Sequence, residues 1–330
     1  MLLCEFSNTR DNNFNLIRIL AAWLVLFSHS YAIVFGGGEF EPLRWLGVTW
    51  GGIAVDVFFV TSGFLITQSL TRSSLLSFAL KRALRIFPAL IVAVCLMVVL
   101  LSDDLFSFET LKFFVKNTTL FLGVSYTLPG AFIDTPLGPA VNGSLWTLPW
   151  EVRCYAAVIL VTAFRPKLMT PVVAIGLMLF AHQSEAARIC GFFFVGASIF
   201  HFRDKIVITH WLAAGFLVAL LVSLSDPNIF RFVYPFALPY FVFYLAYVPE
   251  GSIRKFNKFG DYSYGMYIYA FPIQQALTHV TQDVYLHIIL ATVMTFVPAF
   301  LSWHLIEKHA INPDFRARLV LPLKAIRKGG

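Results

Sequence analysis

Windows of about twenty apolar residues, broken by few charges, recur from one end of this chain to the other, and that is the length a helix needs to cross the hydrocarbon of a bilayer. In lipid no water satisfies backbone N–H and C=O groups, so such segments have to be helical. Only 13% of the 330 residues are charged, 58% are hydrophobic and 35 are Phe, a balance far from that of a soluble domain. The expected fold class is all-α and polytopic, with about ten transmembrane helices at 14–35, 50–70, 84–102, 146–164, 170–182, 187–202, 209–225, 229–248, 259–281 and 285–306. Between the third and fourth, an apolar piece from Leu111 to Gly123 reads as a half-helix at the outer surface.

Lys and Arg set the orientation. With the N-terminus inside, eighteen fall in cytoplasmic segments and five on the opposite side, the asymmetry of a protein with both termini cytoplasmic. The inside set includes Arg10, Lys81, Arg82, Arg85 and the tail cations Arg318, Lys324, Arg327 and Lys328. The net charge of +7 is then met by anionic membrane lipids, and no nucleic acid is needed to explain it. Thirteen mostly polar residues precede the first span, and no small-residue cleavage site follows it, so no cleavable signal is read. Cys4, Cys95, Cys154 and Cys190 are scattered and support neither a metal site nor a disulfide framework. Residues 1–310 read as a single ten-span domain and 311–330 as a short basic cytoplasmic tail.

Within the first span, Arg18 and His29 are eleven positions apart. That is about three helical turns, so both leave one face, roughly 16–17 Å apart along the axis. Ionisable groups in a membrane span are expensive and point to function. Arg18, near the start of its span, fits snorkelling to the headgroups as well as it fits function. His29 lies too far in for that. In the second span Asp56 sits in the outer half with Gly52 and Gly63 on its face, small residues that permit close helix contact. In the fourth, Glu151 and Tyr155 share a face. His29, Asp56 and Glu151 are thus expected at one level, as an acid–base constellation. Arg82 and Arg85 lie on one face at the cytoplasmic mouth of the third span, level with Arg18. An ordinary topology-setting cluster and a fork for phosphate fit that pair equally well.

The arrangement suits a long donor with phosphates at the cytoplasmic face and its reactive end near mid-membrane, which is the shape of coenzyme A. The remaining histidines, among them His182, His201, His210, His279 and His287, fall at span ends and read as interfacial. Tyr262, Tyr264, Tyr267 and Tyr269 read as packing and belt residues in preference to a sugar path. No Walker, dinucleotide-binding or HExxH motif occurs.

Together these residues resemble the acyltransferase-3 family of integral membrane acyltransferases, whose members O-acylate surface polysaccharides, Nod factors, peptidoglycan and small molecules. The Arg-ten residues-His signature is matched by Arg18 and His29. The stretch that follows an Asp, Phe-Phe-Val-x-Ser-Gly-Phe, is matched by Asp56 and Phe58 to Phe64, and Arg-x-x-Arg by Arg82 and Arg85. Trp146, Leu148, Glu151 and Tyr155 match the Trp-x-Leu-x-x-Glu-x-x-x-Tyr stretch, and Ser263, Tyr264 and Tyr267 the Ser-Tyr-x-x-Tyr. Two departures stand out. Ala270-Phe271-Pro272 replaces a His-x-Pro, and Glu307-Lys308-His309 replaces Glu-Lys-Pro. The first removes one His and raises the weight on His29. The short stretch after Glu307 leads us to expect none of the additional SGNH hydrolase domain that some members carry.

The resemblance implies a ten-span enzyme, in a bacterial inner (plasma) membrane, that transfers an acyl group, read as acetyl from acetyl-CoA, to a hydroxyl of a carbohydrate such as a surface polysaccharide or its lipid-linked precursor. His29 would be the general base, oriented by Asp56 or Glu151. Arg18, Arg82 and Arg85 would hold the phosphates of acyl-CoA. Ser62, Ser144, Trp146, Tyr155, Tyr264 and Tyr267 would line the substrate path, with Ser62 and Ser144 the hydroxyls for any covalent intermediate. No metal is called for. The rival class is a membrane transporter of an acyl donor or small metabolite, since intramembrane charges also mark transport paths; against it stands the lack of paired broken helices in two halves.

Overall fold

A computed structural model describes residues 1–7 and 11–316. Arg10 and the tail cations Arg318, Lys324, Arg327 and Lys328 lie outside the described residues. Among those described, every regular element is helical, apart from an isolated bridge between Leu2 and Val207. In chain order the helices are α1 (Leu3–Ser7), α2 (Phe14–Phe35), α3 (Trp50–Thr71), α4 (Leu75–Leu101), α5 (Phe108–Thr119), α6 (Leu148–Ala163), α7 (Pro166–Leu179), α8 (Glu185–His201), α9 (His210–Ser223), α10 (Pro227–Tyr247), α11 (Ser263–Leu277), α12 (Val284–Ser302) and α13 (Lys308–Ala310). A π-helical turn, Trp303–Glu307, joins the last two.

A helix stands at each of the ten expected positions, but among the described residues five helices are long and apolar enough to cross a membrane: Phe14–Phe35, Trp50–Thr71, Leu75–Leu101, Pro227–Tyr247 and Val284–Ala310. These make the chain an integral membrane protein. The other expected spans are shorter helices. The 14 residues of α7 rise only about 21 Å, against a hydrocarbon core of about 30 Å. Two of them start on proline, whose fixed φ suits the first turn: α6 has Pro149 there and α7 begins on Pro166, four residues before the expected start. Likewise α4 starts at Leu75, well before residue 84, because Ser74 caps it by accepting from the Ser77 N–H. Arg82 and Arg85 therefore lie a few turns inside α4, on one helical face as expected. The expected half-helix between the third and fourth spans is present as α5. His287 is fully buried, its Nε2 2.9 Å from the Gln274 carbonyl, and is not interfacial.

Close backbone contact holds the centre. α3 packs along α8 and along α2. A methyl group at Gly63 would lie 1.8 Å from the Phe193 carbonyl oxygen, and one at Gly196 would lie 2.0 Å from that of Val60. Small residues on both faces are what this approach requires. Gly196→Ala is accordingly expected to lower the thermal midpoint in detergent, at a cost of about 1–3 kcal/mol. Gly215→Ala, on α9 with nothing within 4 Å, should not.

Between α5 and α6 the chain enters the bundle as irregular backbone up to Asn142 and then as a 3-10 turn, Gly143–Thr147. Val141, Asn142, Ser144 and Leu145 are each at most 1% exposed. Backbone outside an α-helix at such depth has to find protein partners, and it does. The Gln275 amide donates to the carbonyls of Gly138 (2.9 Å) and Ala140 (2.8 Å). Asn142 donates to the Ile268 carbonyl at 2.8 Å and accepts from the Ser144 N–H at 3.0 Å. The Tyr267 hydroxyl donates to the Ser144 carbonyl at 2.8 Å. This buried entry sets where α6 begins, and so the position of Glu151.

Candidate active site

Three adjoining cavities follow α2 from Arg18 to His29. The largest, about 410 Å³, is lined by Arg18, Arg82, Arg85, Glu151, Tyr155 and Trp303 among others. A narrow one of about 40 Å³ shares Arg18, Ser62, Glu151 and Tyr264 with it. The third, about 120 Å³, shares Val55 and Tyr267 with the narrow one and holds His29, Glu41, Trp146 and Arg188. Tyr267 stands at the junction. Its hydroxyl donates to the Ser144 carbonyl and so accepts from Thr147 Oγ1, 2.7 Å away.

At the basic end the cations are not equivalent. Asp261, in the turn before α11, accepts from Arg18 at 3.1 Å and from Arg85 at 2.5 Å on a single oxygen, Oδ2. Its other oxygen accepts from the Ser263 hydroxyl at 2.5 Å. Arg85 also reaches Glu307 at 3.1 Å. The π-turn and the Ser302 hydroxyl, 2.9 Å away, hold that carboxylate. Burial makes such pairing obligatory, and it ties α2, α4, α11 and α12 together. Arg82 makes no ion pair among the described residues, and its Nε is buried without a partner. Of the three expected phosphate ligands all line one cavity, but only Arg82 has no ion-pair partner among the described residues, Glu151 being the nearest acidic group of that cavity. Lys81 and Arg316 stand at the same cavity.

The expected level of His29, Asp56 and Glu151 does not form. Glu151 faces the large cavity, where the Tyr155 hydroxyl donates to it and Ser62 Oγ lies 3.5 Å away. The cause is the buried entry before α6, which puts Glu151 in the first turn of a helix that starts inside the bundle. Asp56 is fully buried; Arg188 of α8 and the Tyr234 hydroxyl of α10 (2.7 Å) both donate to its Oδ2. Its carboxylate joins three helices and makes no bond to His29. Among the hydroxyls, Ser62 lines the path, whereas Ser144 is buried and lines none of the three cavities. Tyr155 and Tyr264 line the large cavity, Tyr267 the junction and Trp146 the third.

His29 has its Nδ1 buried and unbonded, and its ring meets Phe271 edge-on at 5.3 Å between centroids. Phe271 belongs to the Ala270-Phe271-Pro272 departure, which thus builds an apolar wall beside the imidazole. Sequence reasoning missed Asp261, Glu307, Arg188 and Glu41. Asp261 carried a signal, a carboxylate two positions before Ser263 of the Tyr motif. Arg188 carried none, because it reads as an ordinary loop cation at the head of a helix.

The site is thus a basic cavity adjoined, through a narrow one, by the cavity of a half-buried histidine in a helical bundle. The chain belongs to the acyltransferase-3 family, with residues 11–305 matching its acyltransferase domain, and it is an acyltransferase. It is 32% identical to the O-acetyl transferase of Shigella phage Sf6, over 92% of this chain and 97% of that protein. To Nodulation protein 10 of Rhizobium leguminosarum bv. viciae it is 33% identical, over 46% of this chain and 44% of that protein. No solved structure matches it.

Proposed function

We propose that this protein transfers an acetyl group from acetyl-CoA to a hydroxyl of a cell-surface carbohydrate or its lipid-linked precursor. The observation that carries the reading is the succession of three cavities that share lining residues: a wide basic chamber, a narrow space and a histidine chamber. That sequence of spaces fits a donor with a phosphorylated head and a slim arm. Arg82, which has no ion-pair partner among the described residues, suits the phosphates with Lys81 beside it, and Trp303 lines the same chamber as an aromatic side chain for the base. Arg18 and Arg85, already met by Asp261 and Glu307, shape the chamber and contribute less charge. The narrow space past Ser62 and Tyr264 suits the pantetheine arm, which would bring the thioester to Tyr267. His29 then takes the proton of an acceptor hydroxyl that enters the third cavity from the far end. We place the protein in a bacterial inner membrane with both termini cytoplasmic, all ten helices being embedded and the short ones packed in the bundle. The name of the phage Sf6 relative supports an O-linked acetyl product.

The test is donor discrimination in purified protein, with a de-O-acetylated surface polysaccharide of the host strain as acceptor. Arg82→Ala should weaken acetyl-CoA binding by about 1.5–3 kcal/mol, the worth of a charge-assisted hydrogen bond. Acetyl-pantetheine, which lacks the nucleotide phosphates, should bind wild type and variant alike. An equal loss for both donors would remove phosphate recognition from Arg82, and no acetyl transfer by the wild type would overturn the reading itself.

A further inference from the structure

With Asp56 held by Arg188 and Tyr234, and Glu151 in another cavity, the acidic groups left in the His29 chamber are Glu41 and Glu185. Glu185 is exposed at the head of α8. Glu41 follows the short 3-10 turn Gly38–Phe40 and is half-buried. The Ser28 hydroxyl donates to Glu41 Oε2, and Ser28 is itself fully buried. Ser28 immediately precedes His29 on α2, so this bond ties the carboxylate to the turn of helix that carries the imidazole. α3 leaves room for the pair at Gly51, where a methyl group would lie 3.2 Å from Ser28 Cβ and 3.5 Å from Glu41 Oε2.

The charged and titratable groups of the chamber are Glu41, Arg44 from the following turn, Glu185 and Arg188 from α8, and Tyr267 from α11. Arg188 is spent on Asp56, Tyr267 on backbone and Thr147, and Arg44 is exposed. From α11 the ring beside His29 is the apolar Phe271. That leaves Glu41 as the carboxylate held in place for an imidazole whose Nδ1 is buried and unbonded.

We propose that Glu41 is the positioning residue of His29, its Ser28-held carboxylate favouring the imidazolium that forms during transfer. The inference rests on the reading of His29 as the base. In the step concerned, the acceptor O–H proton moves to His29 while the hydroxyl oxygen forms a bond to the thioester carbonyl carbon. The C–S bond then breaks, its electron pair leaves on sulfur, and the thiolate takes the proton from His29. Glu41 neither gains nor loses a proton; it supplies fixed negative charge beside the group that turns positive.

The test is a double-mutant cycle in the full-length protein, read as acetyl transfer from acetyl-CoA to the de-O-acetylated polysaccharide. Glu41→Gln should lower kcat by about 10- to 100-fold, less than the ~10²–10⁴-fold contribution of the base itself because the group acts through it, with KM for acetyl-CoA unchanged. Glu41→Asp should restore most of it. In a His29→Ala background Glu41→Gln should cost nothing more, because the two residues act as one unit. Ser28→Ala, which keeps the carboxylate and removes its anchor, should show a smaller loss with the same non-additivity, and it serves should Glu41→Gln misfold. Full turnover in Glu41→Gln, or an undiminished loss in the His29→Ala background, overturns the role of Glu41 alone. Full turnover in His29→Ala overturns the reading of His29 and this one with it.

Discussion

His29→Ala should reduce acetyl transfer by about 10²- to 10⁴-fold, the usual contribution of a general base, while donor affinity and thermal midpoint stay near those of the wild type. Both halves of that expectation follow from the surroundings of the side chain. The imidazole makes no hydrogen bond at Nδ1 and its contact with Phe271 is edge-on, so truncation removes no polar partner from the fold. The basic chamber lies at the far end of α2, about three turns away, so loss of the ring leaves the phosphate site intact. The measurement is steady-state transfer together with acetyl-CoA binding to the same preparation. Wild-type turnover in the variant would remove His29 from the chemistry. Attention would then move to Glu151, which has Tyr155 and Ser62 at hand in the large cavity.

The polar groups that share a helix were legible in the sequence. Arg18 and His29 fall on one face of α2 because a 3.6-residue period fixes it, and Gly63 faces the close neighbour α8 as its small size implied. What failed was depth across an irregular segment. The stretch before α6 has no apolar period, and nothing local shows that Gln275, Asn142 and Tyr267 receive its backbone inside the bundle. Placing α6 at the surface put Glu151 at the level of His29, whereas it belongs with Arg82. Charge pairing was equally hidden. Asp261 and Glu307 lie far along the chain from Arg18 and Arg85, and only the packing of α11 and α12 beside α2 and α4 brings them together. A cation count tuned to topology cannot tell a neutralised Arg85 from a free Arg82. The same blindness hides Arg188, whose partner Asp56 reads from the sequence as a member of the acid–base set.

Arg188→Ala should destabilise the protein by about 3–5 kcal/mol, the cost of leaving a buried charge without its partner. Asp56 has no exposure at all, and its remaining donor would be the Tyr234 hydroxyl at 2.7 Å. The loss should appear as a large drop in thermal midpoint in detergent and as poor accumulation in the membrane. Asp56→Ala should cost less, because the Arg188 side chain keeps 14% exposure and its long stem can carry the charge towards water. Replacing both at once, Asp56→Leu with Arg188→Met, should recover most of the stability, since an apolar pair of similar volume avoids desolvating two ions. That double variant also decides what Asp56 is for. If the carboxylate serves only to join α3, α8 and α10, the stable double variant should transfer acetyl groups at close to the wild-type rate. A stable but inactive double variant would return Asp56 to the chemistry of the His29 chamber, through Arg188, which lines that chamber.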